Sequence, residues 1–331
     1  MELCQTLMKY STKEDHLLKK ILCIGELLID FFTTNIKQSI IEATTFEKQA
    51  GGAPANVAAT IAKLGGNAYF CGKVGDDAFG HFLKQTLLNA GVCTEQLILD
   101  PHAPTTLAFV SREMDGERDF IFNRGADELL RIEDLHLQKL MAMDIIHFGS
   151  ATALLSGPFS KTYEQLMQTL RLQNHFISFD PNYRANLWKG DTERFIEKCE
   201  PFIEAAHFIK MSDEELLLLA RTDNFDKALE WITQFENKAI AITQGAAGTI
   251  FIQNGFMTMI PSIPVHAIDA TGAGDAFVGA VLYKLATRDT NELSQTEWIS
   301  VIEFANRVGA KVCEKVGAIE ALPTLEDIQV I

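Results

Sequence analysis

An α/β fold with a mostly parallel sheet is what this sequence predicts, and three observations predict it. Short apolar runs of strand length recur, at 21–25, 144–150, 176–180, 206–210 and 239–243. Amphipathic segments lie between and after them, the alternation expected of parallel strands joined by helical crossovers. Glycine-rich stretches stand where chain enters a helix, at 50–56 and 269–275.

The elements follow in order. Residues 1–20 are polar, carry Lys9, Lys13, Glu14, Asp15, Lys19 and Lys20, and read as a loosely attached extension of one domain at 21–331. They lack the apolar centre of a signal peptide. The run 21–25 is a buried strand, and 26–30 reads as its continuation, ending in Asp30. Ligands of open α/β sheets gather at the carboxyl ends of strands. Asp30 is therefore a candidate acceptor for a substrate hydroxyl, with a solvated loop carboxylate as the alternative.

Gly51, Gly52 and Asn56 open a helix of small residues at 57–64, closed by Gly65-Gly66. Packing explains the alanines, but two glycines and an amide at the entrance suit close backbone approach to a polar ligand. An ordinary turn is the alternative. The stretch ending Gly72-Lys73-Val74 is not a Walker loop. It has one residue too many after Gly66, and Val74 stands where a metal-binding hydroxyl is needed. It reads as a strand at 68–71.

Strand-like runs at 105–110 and 118–122 flank Asp115-Gly116, a hairpin signal. Arg124 follows, either touching substrate or standing at a strand end. His147, inside an apolar strand, reads as structural. Asn182 and Arg184 lie just past the strand at 176–180, in Asp180-Pro181-Asn182-Tyr183-Arg184. Ser212 with Glu215 three residues on is a capping box at a helix start. Thr243 ends a strand, and Gly245 and Gly248 form the loop after it.

The chain centres on Asp269-Ala270-Thr271-Gly272-Ala273-Gly274-Asp275, between extended chain at 260–265 and a small-residue apolar helix at 276–286. A helix N-terminus presents unpaired N–H groups and the positive end of its dipole, so it attracts an anion. Gly272 and Gly274 let the backbone approach that anion. Asp275 would stand beside it, ionised and placed to take a proton from an attacking hydroxyl. That is the geometry of phosphoryl transfer to an alcohol. The alternative is an Asp that only favours a helix start.

Bulk properties agree. With 331 residues, 47% hydrophobic and 22% charged, the chain has room for one large α/β domain or two small ones. A net charge of −15 argues against nucleic acid or an anionic membrane as partner. Cys4, Cys23, Cys71, Cys93, Cys199 and Cys313 are scattered without a C-x-x-C pair, as expected of reduced thiols in a cytoplasmic protein. The apolar stretch at 21–32 contains Glu26 and Asp30 and is too short to span a bilayer.

The two glycine stretches, in this order and more than 200 residues apart, resemble the two signatures of the ribokinase-like (PfkB) family of small-molecule kinases. The resemblance implies a three-layer α/β/α ribokinase-like (Rossmann-like) fold with a small β-sheet lid, drawn from near 31–48 and 103–124. It implies ATP and a sugar as ligands, with the amides of Gly272, Ala273 and Gly274 as anion hole and Asp275 as base. By the same resemblance Asp30, Gly51, Gly52, Asn56, Arg124 and Asn182 hold sugar, and Arg184 faces the transferred phosphate. Thr243, Gly245, Gly248, Thr271 and Asn306 sit on the nucleotide side. Glu215 is implied to bind Mg²⁺ through water, although Ser212 stands where many relatives have Asn. Asp269, Thr271 and Gly317 are implied around a monovalent cation such as K⁺. Several segments look like the fructokinase subgroup, including Gly25-Glu26-Leu27-Leu28-Ile29-Asp30 and Arg124-Gly125-Ala126-Asp127. D-fructose is the expected substrate, with a ribokinase, a 2-keto-3-deoxygluconate kinase or a nucleoside kinase as alternatives. No aromatic base pocket is visible in the sequence. A non-catalytic sugar sensor is the reading from another class. A lid strand edge offers a route to a homodimer.

Overall fold

The computed structural model describes residues 18–34, 39–111, 120–173, 175–288 and 293–329. The polar extension up to residue 17 and the expected Asp115-Gly116 turn lie outside them. The strands are β1 (Lys20–Ile24), β2 (Leu28–Thr33), β3 (Phe46–Gly51), β4 (Asn67–Gly75), β5 (Cys93–Asp100), β6 (Leu107–Val110) and β7 (Phe120–Asn123). They continue with β8 (Ile145–Phe148), β9 (Phe176–Phe179), β10 (Phe208–Ser212), β11 (Ala239–Thr243), β12 (Gly248–Gln253) and β13 (Phe256–Pro261). The helices longer than five residues are α1 (Ala53–Lys63), α2 (Ala78–Asn89), α3 (Pro158–Arg171), α4 (Thr192–Ala205), α5 (Asp213–Leu219), α6 (Phe225–Ile232), α7 (Ala273–Ala286) and α8 (Gln295–Val312).

Nine strands form the main sheet in the order β13-β12-β11-β10-β9-β8-β1-β4-β5. The pairings from β5 to β11 are parallel. Alternation along β1 shows why the sheet is covered twice. Ile21 and Cys23 enter one apolar layer with α1, α2, α7 and α8. Leu22 and Ile24 enter the opposite layer with α3, α4, α5 and α6. The chain leaves β1 for β4 on one side and returns to β8 on the other, so the strand order reverses there. A crevice opens beyond the carboxyl ends of strands at such a point.

One hairpin joins the elements expected from the sequence, and one local reading is corrected. The edge pair β12–β13 is antiparallel and turns at Asn254-Gly255, with φ of 49° and 76°. Asn-Gly tolerates positive φ at both positions and is a strong hairpin signal, yet only extended chain is expected nearby from the sequence, at 260–265. Residues 26–30 do not continue β1. The chain turns after Ile24, and β2 belongs to a second sheet ordered β3-β2-β6-β7. The turn is held because the buried Glu26 carboxylate accepts the Ala53 N–H at 3.0 Å, which draws residue 26 toward the start of α1.

The small sheet is anchored on α2 through aromatics. Phe31 stacks on Phe109 at 5.1 Å and meets Phe79 edge-on at 5.7 Å. The Lys48 ammonium lies 3.5 Å over the Phe82 ring. The alanine-rich α1 packs closely on α7, where a Cβ on Gly279 would stand 2.6 Å from the Thr60 Cβ and 2.9 Å from the Val57 carbonyl. That close approach brings the first turns of the two helices together. His147 is structural as expected. It is buried, 3.0 Å from the Ser178 hydroxyl, and desolvation pushes its imidazole down to about 3.

Candidate active site

The start of α7 is the centre of the site. Gly272 is its N-cap at φ 77°, in the left-handed region, and no side chain caps the helix. The preceding loop is pinned by Asp269. Its carboxylate accepts the Thr271 N–H at 3.0 Å, the Thr271 hydroxyl at 2.6 Å and the Gly317 N–H at 3.1 Å. Asp269, Thr271 and Gly317, expected together, do converge. The expected anion hole of three amides needs correction. The Ala273 N–H is spent on the Ala270 carbonyl at 3.2 Å, because the loop closes a turn before the helix begins. No acceptor among the described residues meets the N–H groups of Gly272 and Gly274, which stay available.

Asp275 lies in the first turn of α7 and is 8% exposed. The Asn56 amide of α1 donates to it at 2.9 Å. Burial raises its carboxyl pKa above the ordinary range, while Asn56, Arg184 and Lys210 pull it down and Glu215 pushes it up. The other end of the same amide, Asn56 Oδ1, is buried without a partner. Such an acceptor is costly unless a donor arrives.

Two cavities flank this helix start. The first, about 340 Å³, is lined by Glu26, Asp30, Gly52, Asn56 and Arg184, and reaches Thr271, Gly272 and Asp275. The second, about 630 Å³, is lined by Thr243, Gly245, Gly248 and Asn306, and reaches Ala270, Ala273 and Gly274. Residues 270–275 are thus the wall between them.

On the first side, burial pushes the Asp30 carboxyl up to about 7, with Glu26 adding to the rise and Arg184 opposing it. Gly51 does not line the cavity. Its missing side chain leaves the space that the Asp30 carboxylate fills. Arg184 lines the cavity with its Nη1 on the Tyr183 carbonyl at 3.0 Å. Arg124 and Asn182, expected to hold substrate, lie outside the wall. Arg124 is captured by the buried Asp127 carboxylate at 3.2 Å and by the carbonyls of Ser156 and Thr152 at 2.8 and 2.9 Å. Asn182 donates to the Gly149 carbonyl at 2.8 Å and so ties the ends of β9 and β8. Three phenylalanines of the small sheet, Phe32, Phe120 and Phe122, also line this cavity. An aromatic wall is not visible in the sequence, because Phe32 comes from β2 and Phe120 and Phe122 from β7, almost ninety residues on.

Glu26 is a site residue that sequence reasoning missed. It accepts the Ser150 hydroxyl and the Ala151 N–H besides that of Ala53. Burial raises its carboxyl pKa. The signal was available, as a carboxylate inside an apolar run.

On the second side, Asn306 shapes the wall with its amide already committed. Oδ1 accepts the Thr249 hydroxyl at 2.7 Å, and Nδ2 donates to the Ile260 carbonyl at 3.0 Å. Thr243 lines the cavity with its hydroxyl 3.4 Å from the Met211 carbonyl. Both Glu215 oxygens meet backbone, the Tyr183 N–H at 2.7 Å and the Ser212 N–H at 2.8 Å. Among the described residues no group of three or more His, Cys, Asp or Glu is placed to hold a metal directly. No helix among them is long and apolar enough to cross a membrane.

Among known proteins, residues 18–325 match the family described as pfkB family carbohydrate kinase. The chain is 39% identical over 312 residues to the probable fructokinase-5 of Arabidopsis thaliana, covering 93% of this chain and 96% of that one. The crystal structure of a fructokinase from Xylella fastidiosa with bound ATP superposes with a TM-score of 0.82, at 31% identity over 94% of this chain and 97% of that one. A double mutant of the fructokinase from Vibrio cholerae O395, with fructose, ADP and potassium ion bound, superposes with a TM-score of 0.83 at 28% identity, covering 95% and 98% of the two chains.

Proposed function

The chain belongs to the pfkB family of carbohydrate kinases, and from that membership we propose that it transfers the γ-phosphoryl group of ATP to a hydroxyl of D-fructose. The observation that carries this reading is the wall shared by the two cavities. A phosphoryl group passing from a nucleotide in the larger cavity to a sugar in the smaller one meets the start of α7 on its way. There it finds the free N–H groups of Gly272 and Gly274, with Asp275 on the sugar side.

The larger cavity fits an adenine nucleotide. Pro264, Val265, Phe277 and Ala310 supply apolar wall for a base, and Gly274 in the same lining carries a spare N–H. The residues fit a divalent cation only indirectly, since both Glu215 oxygens already accept backbone N–H groups and retain lone pairs for a metal-bound water. Magnesium bound with the nucleotide would neutralise phosphate charge. Asp269, Thr271 and Gly317 are where a monovalent cation would bind, potassium being bound in the Vibrio cholerae relative.

The chain's own groups then have distinct tasks. Asp275 takes the proton of the attacking hydroxyl. Gly272 and Gly274 donate to the oxygens that gain charge. Arg184 adds a planar cation at the mouth of the sugar cavity. Asp30 and the unpartnered Asn56 Oδ1 receive sugar hydroxyls. The small sheet serves as a lid whose closure keeps water from the phosphoryl group. A cytoplasmic setting belongs to this reading, and Cys23, Cys71, Cys199 and Cys313 are unpaired thiols.

ADP release measured over a panel of fructose, ribose, 2-keto-3-deoxygluconate and aminoimidazole riboside tests the substrate. Fructose should give the highest kcat/KM. Turnover on ribose equal to that on fructose would sink the substrate assignment. The riboside belongs in the panel because of the phenylalanine wall, and because the aminoimidazole riboside kinase of Salmonella enterica superposes at 26% identity. Asp275→Asn should lower kcat roughly 10²–10⁴-fold with sugar binding retained. An unchanged rate would remove Asp275 from the mechanism, and a wild-type protein that binds fructose without turnover would favour a sensor.

A further inference from the structure

Two buried charges lie outside the tasks of Asp275, Gly272, Gly274 and Arg184. Lys210 lies in β10 between the buried Ile209 and Met211, and is itself 8% exposed. Asp180, just past β9, is 2% exposed, and the Lys210 ammonium stands 3.1 Å from its Oδ2. Burying an ammonium in an apolar strand is unfavourable unless it is paired. Here the field of three carboxylates, Asp180, Glu215 and Asp275, holds it protonated above its ordinary range.

The position of this ammonium is specific. A Cβ on Gly274 would stand 3.2 Å from Lys210 Nζ, so the lysine reaches the underside of the first turn of α7. Gly274 thereby faces a cation on one side and the nucleotide cavity on the other. The charged and polar groups facing Asp275 come from five elements. They are Asn56 from α1, Asp180 from the end of β9, Arg184 from the segment after it, Lys210 from β10 and Glu215 from α5. Of the two cations, Arg184 is exposed at the cavity mouth, where its charge is shared with solvent and ligand. Lys210 is the interior one.

We propose that Lys210 is a positioning residue of the transfer site: its ammonium, held under the start of α7 by Asp180, keeps Asp275 ionised as the proton acceptor. This rests on Asp275 being the base. The acidic chain meets a local need with one fixed interior charge, because Glu215 would otherwise push a proton onto Asp275, and burial already pushes Asp180 up to about 7 beside them. Gly274 then has a reason of its own, since a side chain there would press on the ammonium.

The test follows kcat against pH at saturating sugar and ATP in the wild type, Lys210→Met and Asp180→Asn. The Asp275 carboxyl carbon is titrated in parallel by ¹³C NMR, its resonance assigned by its loss in Asp275→Asn. Removing the cation should move the acid limb and the NMR midpoint up by about one pH unit, the scale of one nearby charge. Removing the Asp180 charge should move both down. A pair that only braces the fold moves neither midpoint, and that result, or shifts of the same sign in both variants, overturns the proposal. If Lys210→Met fails to fold, Lys210→Gln, which keeps a donor for Asp180 and removes the charge, carries the same test, and an unmoved midpoint there overturns the proposal. Wild-type turnover in Asp275→Asn would overturn the base assignment as well, a result distinct from unmoved midpoints in an enzyme that depends on Asp275.

Discussion

At the scale of single residues, the site keeps three carboxylates, Glu26, Asp30 and Asp275, along one small cavity with Arg184 as the cation in its wall. Each is raised by burial. For Asp30 the folded value of about 7 exceeds the ordinary one of about 3.9. The folded state then binds the proton more readily than the unfolded one, so this group's contribution is full below the ordinary value. It is lost as pH rises through about 7. Asp30→Asn should therefore raise the Tm of the sugar-free protein at pH 8 and leave it near wild type at pH 4, as read by scanning calorimetry. A Tm gain that is equal at both values would contradict burial of the ionised carboxylate as its cause. The same substitution should raise the KM for sugar, which is the functional cost of removing a strained group. Residue types in this cavity are legible in the sequence, because a carboxylate inside an apolar run or a glycine pair before a helix stands out. Arg124 and Asn182 mislead for the same reason that they look attractive. Each sits beside a strand end, but a nearer partner, Asp127 or the Gly149 carbonyl, claims its side chain.

At the scale of elements, catalysis depends on the crossing of α1 and α7. Asn56 reaches Asp275 only because Gly279 and the alanines of α1 let the helices approach. Gly279→Ala sets a methyl against Thr60 and the Val57 carbonyl, where neither helix can yield without shifting. The expected outcome is a loss of about 1–3 kcal/mol in stability by denaturant titration. A fall in kcat larger than any rise in the dissociation constant for ADP should accompany it, because the second cavity is lined by α7 but not by α1. Equal losses in ADP binding would show that the crossing does more than hold Asn56. The helix starts are readable from capping chemistry, as with Ser212 and Glu215, whose reciprocal bonds form as expected. The turn after Ile24 is not readable. A run of apolar residues broken by one glutamate looks the same whether it stays in one sheet or passes to another.

At the scale of the whole molecule, the reversal of strand order beside β1 opens the crevice, and the segments that reach it come from most of the chain's length. A ligand that binds only the folded state stabilises all of it by mass action. ADP at 100 times its Kd should add about 2.7 kcal/mol, raising Tm by several degrees. Asp275→Asn should keep that gain, and its loss would mean that the substitution damages the nucleotide cavity as well. The sequence alone determined the α/β class, the two glycine-rich helix entrances, the base candidate and the kinase family they resemble. All of these are written in local spacing, the periodicity of apolar residues and the backbone freedom of glycine. Tertiary structure alone decided which amides stay free, since the turn at Ala270 consumes one, and which charges meet Asp275. It also assembled the phenylalanine wall and set Lys210 beneath Gly274. The physical reason is that these contacts join residues tens to hundreds of positions apart. Their energies depend on burial and distance, quantities that exist only once the sheet has brought the strand ends together.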